Sequence, residues 1–200
     1  MTKIKICGLF RECDIDYVNE AKPDYAGFIL NYPKSHRNVL PGTAQELRLK
    51  LLPEIKAVGV FVNQPEETVI KTAQFVGLDI IQLHGNEDND YIDRLKERIN
   101  IPIWKAFKVK TEAALTEALQ SAADEIILDN GYGTGESFDW SMVKSFNRPF
   151  ILAGGLTSEN IPEAIRTLKP FALDISSGVE TQKVKDPGKI SAAVKSAHSN

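Results

Sequence analysis

Residues 126–140 read Ile126-Ile127-Leu128-Asp129-Asn130-Gly131-Tyr132-Gly133-Thr134-Gly135-Glu136-Ser137-Phe138-Asp139-Trp140. An apolar run stops at a carboxylate, and three glycines spaced by small or polar residues follow. The pattern predicts a buried strand with an acid at its end, a pliable loop, and a helix start at Asp139. Glycine carries no Cβ, so such a loop can adopt φ > 0 and bring its backbone close to a ligand. The dinucleotide fingerprint G-x-G-x-x-G fails here: counted from Gly131, its third glycine position holds Glu136. A linker following any α/β strand would look similar, so the stretch has to be weighed with the rest of the chain.

Strand-like apolar runs recur at Lys3–Cys7, Tyr25–Leu30, Ala57–Val62, Ile80–Leu83, Ile103–Phe107, Glu125–Asp129, Phe150–Ala153 and Ala172–Ile175. Helix-like stretches alternate with them. Glu67–Val76 opens after Pro65, a good first-turn residue. Asp90–Arg98, flanked by Ile99, shows apolar residues at helical period. Thr111–Ala122 begins with a capping-type threonine, Asn160–Leu168 follows a Ser158/Asn160 start signal, and Pro187–Ala197 follows Asp186 as N-cap. Cys13–Ala21 and Gln45–Leu52 carry weaker patterns. Strand then helix, eight times over, predicts a parallel sheet covered by helices, and eight units suit a closed (β/α)8 barrel better than an open sheet. The reading is a single compact TIM barrel domain spanning 1–200, with its active site at the C-terminal ends of the strands.

Composition narrows the function classes. The 200 residues are 42% hydrophobic and 26% charged, with formal net charge -3 and no basic block, which argues against nucleic acid as partner. No apolar run approaches the ~20 residues of a membrane span, and the start MTKIKICG shows no signal-peptide h-region. Cys7 and Cys13 are too few for a disulfide framework, and Cys13 reads most simply as a helix-packing residue. A reducing cytoplasm is the expected compartment, and no obligate protein partner is evident.

Side chains alternate faces along a strand. The outside of a barrel packs on helices and should be apolar, so Ile4 and Ile6 point out while Lys5 and Cys7 point in. The same rule sends Asp129, Asp174, Gln82 and His84 inward, and Lys105 inward if Trp104 and Ala106 face out. Lys5, Lys105, Asp129 and Asp174 would then pair with one another, since an unpaired buried charge costs several kcal/mol. A polar plug filling the barrel is the alternative. Cys7 and Asp129 both fall at strand C-termini, where this fold builds its sites.

Ala153-Gly154-Gly155-Leu156 follows the seventh strand, and Asp174-Ile175-Ser176-Ser177-Gly178-Val179-Glu180 the eighth. Loops at those places commonly cradle phosphate with backbone N–H groups. Arg37, after the second strand, offers a planar fork for a carboxylate. His84 is a candidate ligand contact or a histidine satisfied by backbone hydrogen bonds. His36 reads as a solvated loop residue and His198 as part of a frayed tail. No His/Asp/Glu/Cys grouping has metal-site spacing.

Lys5-Ile6-Cys7-Gly8, Gly27-Phe28, Lys34-Ser35-x-Arg37 and Gln82-Leu83-His84-Gly85 resemble the phosphoribosylanthranilate isomerase family. So do Leu128-Asp129 with Gly133-Thr134-Gly135, Phe138-Asp139-Trp140, Ala153-Gly154-Gly155-Leu156 and the run Asp174–Glu180. The likeness covers essentially the whole chain; His36, before the arginine, is a small departure. It implies an Amadori rearrangement of N-(5-phosphoribosyl)anthranilate in tryptophan biosynthesis. Cys7 would be the general base and Asp129 the general acid. Arg37 would hold the anthranilate carboxylate, the Gly154, Gly155, Ser176, Ser177 and Gly178 loops the phosphate, and His84 and Asp174 would contact substrate. No cofactor is implied, because the substrate nitrogen is the electron sink. Lys5 is expected to lower the Cys7 pKa, and a close Lys105 would oppose an acid role for Asp129. The nearest rival, a sugar-phosphate barrel isomerase of histidine biosynthesis, uses two aspartates where this chain has Cys7. A non-catalytic sugar-phosphate-binding barrel also fits the loops, and a thiol redox role is disfavoured by the absent C-x-x-C.

Overall fold

The computed structural model describes residues 1–129 and 140–199. The eight barrel strands are β1 (Lys3–Cys7), β2 (Tyr25–Leu30), β3 (Lys56–Phe61), β4 (Ile80–Leu83), β5 (Ile103–Lys108), β6 (Glu125–Asp129), β7 (Phe150–Ala153) and β8 (Ala172–Ile175). Each pairs in parallel with its sequence neighbour, and β1 pairs with both β2 and β8, which closes the ring. The helices are α1 (Glu12–Ala21), α2 (Pro41–Lys50), α3 (Glu66–Val76), α4 (Asn89–Arg98), α5 (Glu112–Leu119), α6 (Ile161–Leu168) and α7 (Pro187–His198). The sequence periods fall where expected, with two differences. α2 starts at Pro41 in its first turn rather than at Gln45, because Gly42 and Thr43, poor helix formers, hide the start. In the sixth unit the described residues after β6 form a 3₁₀ turn, Trp140–Met142, in place of the eighth α-helix. The glycines 131, 133 and 135, with Phe138 and the helix start at Asp139, lie outside the described residues.

Local chemistry sets several helix ends. The Asp88 side chain accepts from Tyr91 N–H at 2.8 Å and starts α4, whose Ile92 and Leu95 are buried. Asp186 accepts from Lys189 N–H at 3.1 Å ahead of Pro187 and starts α7. α7 buries Ile190, Ala193, Val194 and Ala197 and continues to His198. His198 is therefore no frayed tail: its Nε2 lies 3.1 Å from the Asp24 carboxylate, which also accepts from Ile4 N–H.

Two apolar clusters follow the alternation rule. One fills the space between strands and helices and includes Ile4, Ile6, Ile81, Leu83, Ile126 and Leu128. The other fills the lower barrel interior with Tyr25, Val58, Ile80, Trp104, Ala106, Ile127 and Ile151. Trp104 and Ala106 belong to the interior, so the inward placement of Lys105 is overturned. The register agrees, aligning Lys105 with Leu83 on one side and Ile126 on the other, both outward residues. Hydrophobicity misled because the floor of this barrel is itself apolar: Trp104 packs edge-on against Tyr25 with ring centres 4.9 Å apart. Lys105 instead meets Glu87 beneath the β4–α4 loop, Nζ to Oε2 3.1 Å.

Candidate active site

Above the apolar floor sits a buried polar level. Lys5 is fully buried, and its Nζ donates to Asp174 Oδ2 at 2.8 Å and to Gln82 Oε1 at 2.7 Å. Burial alone would push the Lys5 pKa down; the carboxylate of Asp174 and the neighbouring Cys7 outweigh it and raise the value, so the ammonium stays charged. Of the four inward charges expected from the sequence, Lys5 and Asp174 pair with one another, while Lys105 meets Glu87 and Asp129 lies beside His84. Asp174 Oδ1 is buried without a hydrogen-bond partner among the described residues, an exception to the rule that buried polar atoms are paired.

Because Lys5 takes the oxygen of the Gln82 amide, the Gln82 NH₂ faces His84 Nδ1 at 3.3 Å. That makes Nδ1 an acceptor and puts the proton of a neutral His84 ring on Nε2. His84 Nε2 lies 3.3 Å from Asp129 Oδ2. A polar chain thus runs from β8 through β1 and β4 to the end of β6: Asp174, Lys5, Gln82, His84, Asp129. His84 is positioned by side chains, and its main-chain N–H donates to Phe61 O at 2.8 Å.

Cys7 ends β1 one pleat above Lys5, and only 7% of it is exposed. Gly27 of β2 makes the room: a Cβ there would come 2.8 Å from Lys5 Cε and 2.9 Å from Cys7 Sγ. Lys5 pulls the thiol pKa down, as expected, but it does not set the net direction. Burial pushes Cys7 up, and the downward pull of Lys5, itself opposed by Asp174, does not cancel it. The thiol and the Asp129 carboxyl nevertheless sit at the same end of the barrel, both on inward registers.

Around the rim, Gly154 and Gly155 have φ of +93° and +64°, which favour glycine. Gly178 packs so closely on the carbonyl of Leu156 that a Cβ would collide with it, which locks the loops after β7 and β8 together. Among the described residues, no loop or side-chain hydrogen bond takes the N–H of Gly155, Ser177 or Gly178. Ser176 spends its hydroxyl proton on Cys7 O at 3.0 Å, and Ser177 is exposed. Arg37 crosses the rim from the β2 side. Its Nε and Nη2 donate to the two oxygens of Glu180 at 2.6 and 2.7 Å. A cavity of about 910 Å³ opens beside His84 between Ile29, Val60 and Ala106, away from Cys7 and the glycine loops.

In the sequence Glu180 marks only the end of the loop after the eighth strand, with no role of its own, and nothing singles out Lys185 or Glu87. Glu180 and Lys185 face each other across a hairpin, Glu180–Thr181 with Val184–Lys185, turned by Gln182 and Lys183 at φ of +53° and +65°. Such turns usually announce themselves by Asn-Gly or Asp-Gly; Gln-Lys gives no signal.

A family model described as N-(5'phosphoribosyl)anthranilate (PRA) isomerase matches residues 4–196. A relative named N-(5'-phosphoribosyl)anthranilate isomerase, from Thermoanaerobacter sp. (strain X514), is 47% identical over 193 residues, 93% of each chain. A crystal structure of phosphoribosyl anthranilate isomerase from Thermotoga maritima superposes over 100% of both chains with TM-score 0.89 and 36% identity. Another solved structure, 35% identical with TM-score 0.87 over 100% of both chains, is that isomerase in complex with reduced 1-(o-carboxyphenylamino)-1-deoxyribulose 5-phosphate.

Proposed function

The chain belongs to the N-(5'-phosphoribosyl)anthranilate isomerase family, and from that premise we propose how its residues divide the chemistry. The enzyme converts N-(5-phospho-β-D-ribosyl)anthranilate to 1-(2-carboxyphenylamino)-1-deoxy-D-ribulose 5-phosphate, a step of tryptophan biosynthesis. The observation that carries the residue roles is that an inward thiol on β1 and an inward carboxyl on β6 fall at the same end of the barrel.

Asp129, protonated, gives its proton to the ribose ring oxygen. The C1′–O bond breaks, and the anthranilate nitrogen supplies its lone pair to form the iminium. The Cys7 thiolate then removes the proton from C2′, and the electron pair moves through C1′ onto nitrogen. Protonation at C1′ and collapse of the enol give the ketone. The nitrogen serves as electron sink, so the residues need to move only protons, each such group contributing typically 10²–10⁴-fold. The Nε2–H of His84 faces the Asp129 carboxylate left after the first transfer. Asp174 acts on substrate through the polar chain it anchors, holding Lys5 beneath Cys7.

Arg37 holds the anthranilate carboxylate. The backbone N–H groups of Gly155, Ser177 and Gly178 bind the phosphate, with Gly154 and Ser176 shaping their loops. We place this work in one barrel domain and in the cytoplasm, where the free Cys7 stays reduced. Cys7→Ala and Asp129→Asn are expected to stay folded, bind a product analogue and lose 10²–10⁴-fold in kcat. Near-normal turnover by either variant would retire its assignment.

A further inference from the structure

We propose that Glu180 and Lys185 form a positioning device for Arg37, fixing which edge of the guanidinium meets the substrate. A guanidinium has two edges able to bind a carboxylate bidentately: Nε with Nη2, and Nη1 with Nη2. Glu180 occupies the first, at 2.6 and 2.7 Å. The second is left for the substrate carboxylate, and the plane of the fork is set before substrate arrives.

The device is buried and braced. The side chains of Glu180 and Lys185 are 6% and 0% exposed, and that of Arg37 is 19% exposed. Lys185 Nζ donates to Glu180 Oε1 at 2.8 Å and to Ser176 O at 2.9 Å. Its own carbonyl accepts from Arg11 at 3.0 Å. The cross-strand hairpin register holds Glu180 and Lys185 opposite each other. The same lysine therefore ties the arginine to the loop after β8, which carries phosphate in our reading, so the spacing of the two anion grips is built into one set of bonds. Two cations and one anion leave one net positive charge, matched to one carboxylate. The positioning role rests on the reading of Arg37 as the carboxylate holder.

The test compares two substrates, the anthranilate compound and its aniline analogue lacking the carboxylate, each made fresh and followed by fluorescence. Glu180→Gln keeps the shape but cannot accept both N–H groups while facing Lys185. It is expected to raise KM for the carboxylated substrate on the order of tenfold, to change kcat less than about threefold, and to leave KM for the aniline analogue unchanged. Glu180→Asp keeps the charge beside Lys185 and shortens the reach, and is expected to show a smaller effect with the same selectivity. It decides the question if the glutamine variant does not fold. Arg37→Ala with Glu180→Gln is expected to be no worse than Arg37→Ala alone.

Equal rises in KM for both substrates, or no rise for either, would overturn the positioning role. Arg37→Ala reports on the premise separately: if it does not selectively impair the carboxylated substrate, the assignment of Arg37 itself fails. If Arg37→Ala is selective and the Glu180 variants are not, Arg37 stands and the positioning role falls.

Discussion

Replacing Glu87 by alanine should cost far more than its place in a rim loop suggests. The side chain is 2% exposed and accepts three hydrogen bonds, from Asn63 N–H at 2.7 Å, Gly85 N–H at 2.8 Å and Lys105 Nζ at 3.1 Å. Its loss takes the acceptor from two part-buried amides, each bond worth about 0.5–1.5 kcal/mol net, and removes the counter-charge of an ammonium 4% exposed. Lys105 keeps one acceptor, Gly85 O at 2.7 Å, and the adjoining cavity can admit water, so the full sum is not reached. Breaking a buried pair from one side costs about 3–5 kcal/mol, a large part of a typical domain stability of about 5–15 kcal/mol. At about 2–4 °C per kcal/mol for a chain of this size, Tm falls by roughly 6–20 °C. Lys105→Met keeps the packing of the stem and leaves Glu87 bonded to both amides, so it should cost less, about 1–3 kcal/mol. The double variant should fall short of additivity by about 1 kcal/mol or more. Urea unfolding followed by tryptophan fluorescence and far-UV circular dichroism measures all three. A Glu87→Ala cost below about 1 kcal/mol, or strict additivity, would refute the pairing and with it the outward register of Lys105.

Three further outcomes are expected. Because burial raises the Cys7 pKa, kcat/KM, which reports the free enzyme, should climb with pH to above the ordinary thiol value; a midpoint below that value would contradict the buried setting. Gly178→Ala must push the loops after β7 and β8 apart and should raise KM on the order of tenfold or more while leaving secondary structure intact; an unchanged KM would remove that loop from the phosphate site. Burial opposes ionisation of Glu180, but Arg37 and Lys185 win and hold its pKa at about 2, below the ordinary 4.5. A depressed carboxylate contributes stability that is complete above its unfolded value and is lost as pH falls toward 2. At 1.36 kcal/mol per unit that is about 3 kcal/mol, discounted to roughly 2 for screening at the rim. The stability gap between the parent and Glu180→Gln, measured by urea unfolding, should therefore shrink from pH 6 to pH 2; a constant gap would refute the assignment.

Strand alternation was strong enough to place most of the barrel and the inward Cys7, Asp129, Asp174 and Gln82, because outward neighbours such as Ile6, Leu128 and Leu173 are unambiguously apolar. It failed at Trp104-Lys105-Ala106, where both faces are buried and the lysine finds a carboxylate outside the barrel. Partners distant in sequence were not legible. Nothing in the one-dimensional pattern couples Arg37 to Glu180, or Glu87 to Asn63 and Lys105. The turn that brings Lys185 opposite Glu180 carries neither glycine nor asparagine. The net direction of the Cys7 shift was not legible because it depends on how burial weighs against a lysine already neutralised by Asp174, a balance that exists only in three dimensions.

The most direct test of the central claim is a crystal structure of this protein with a stable reduced product analogue. The account requires the sugar carbon equivalent to C2′ to lie against Cys7 Sγ, at roughly 3–3.5 Å, and the oxygen derived from the ribose ring to lie against Asp129. The aromatic carboxylate should sit on the free edge of Arg37, and the phosphate at Gly155, Ser177 and Gly178. A ligand bound with its phosphate at Arg37, or with C2′ beyond reach of the sulfur, would contradict it.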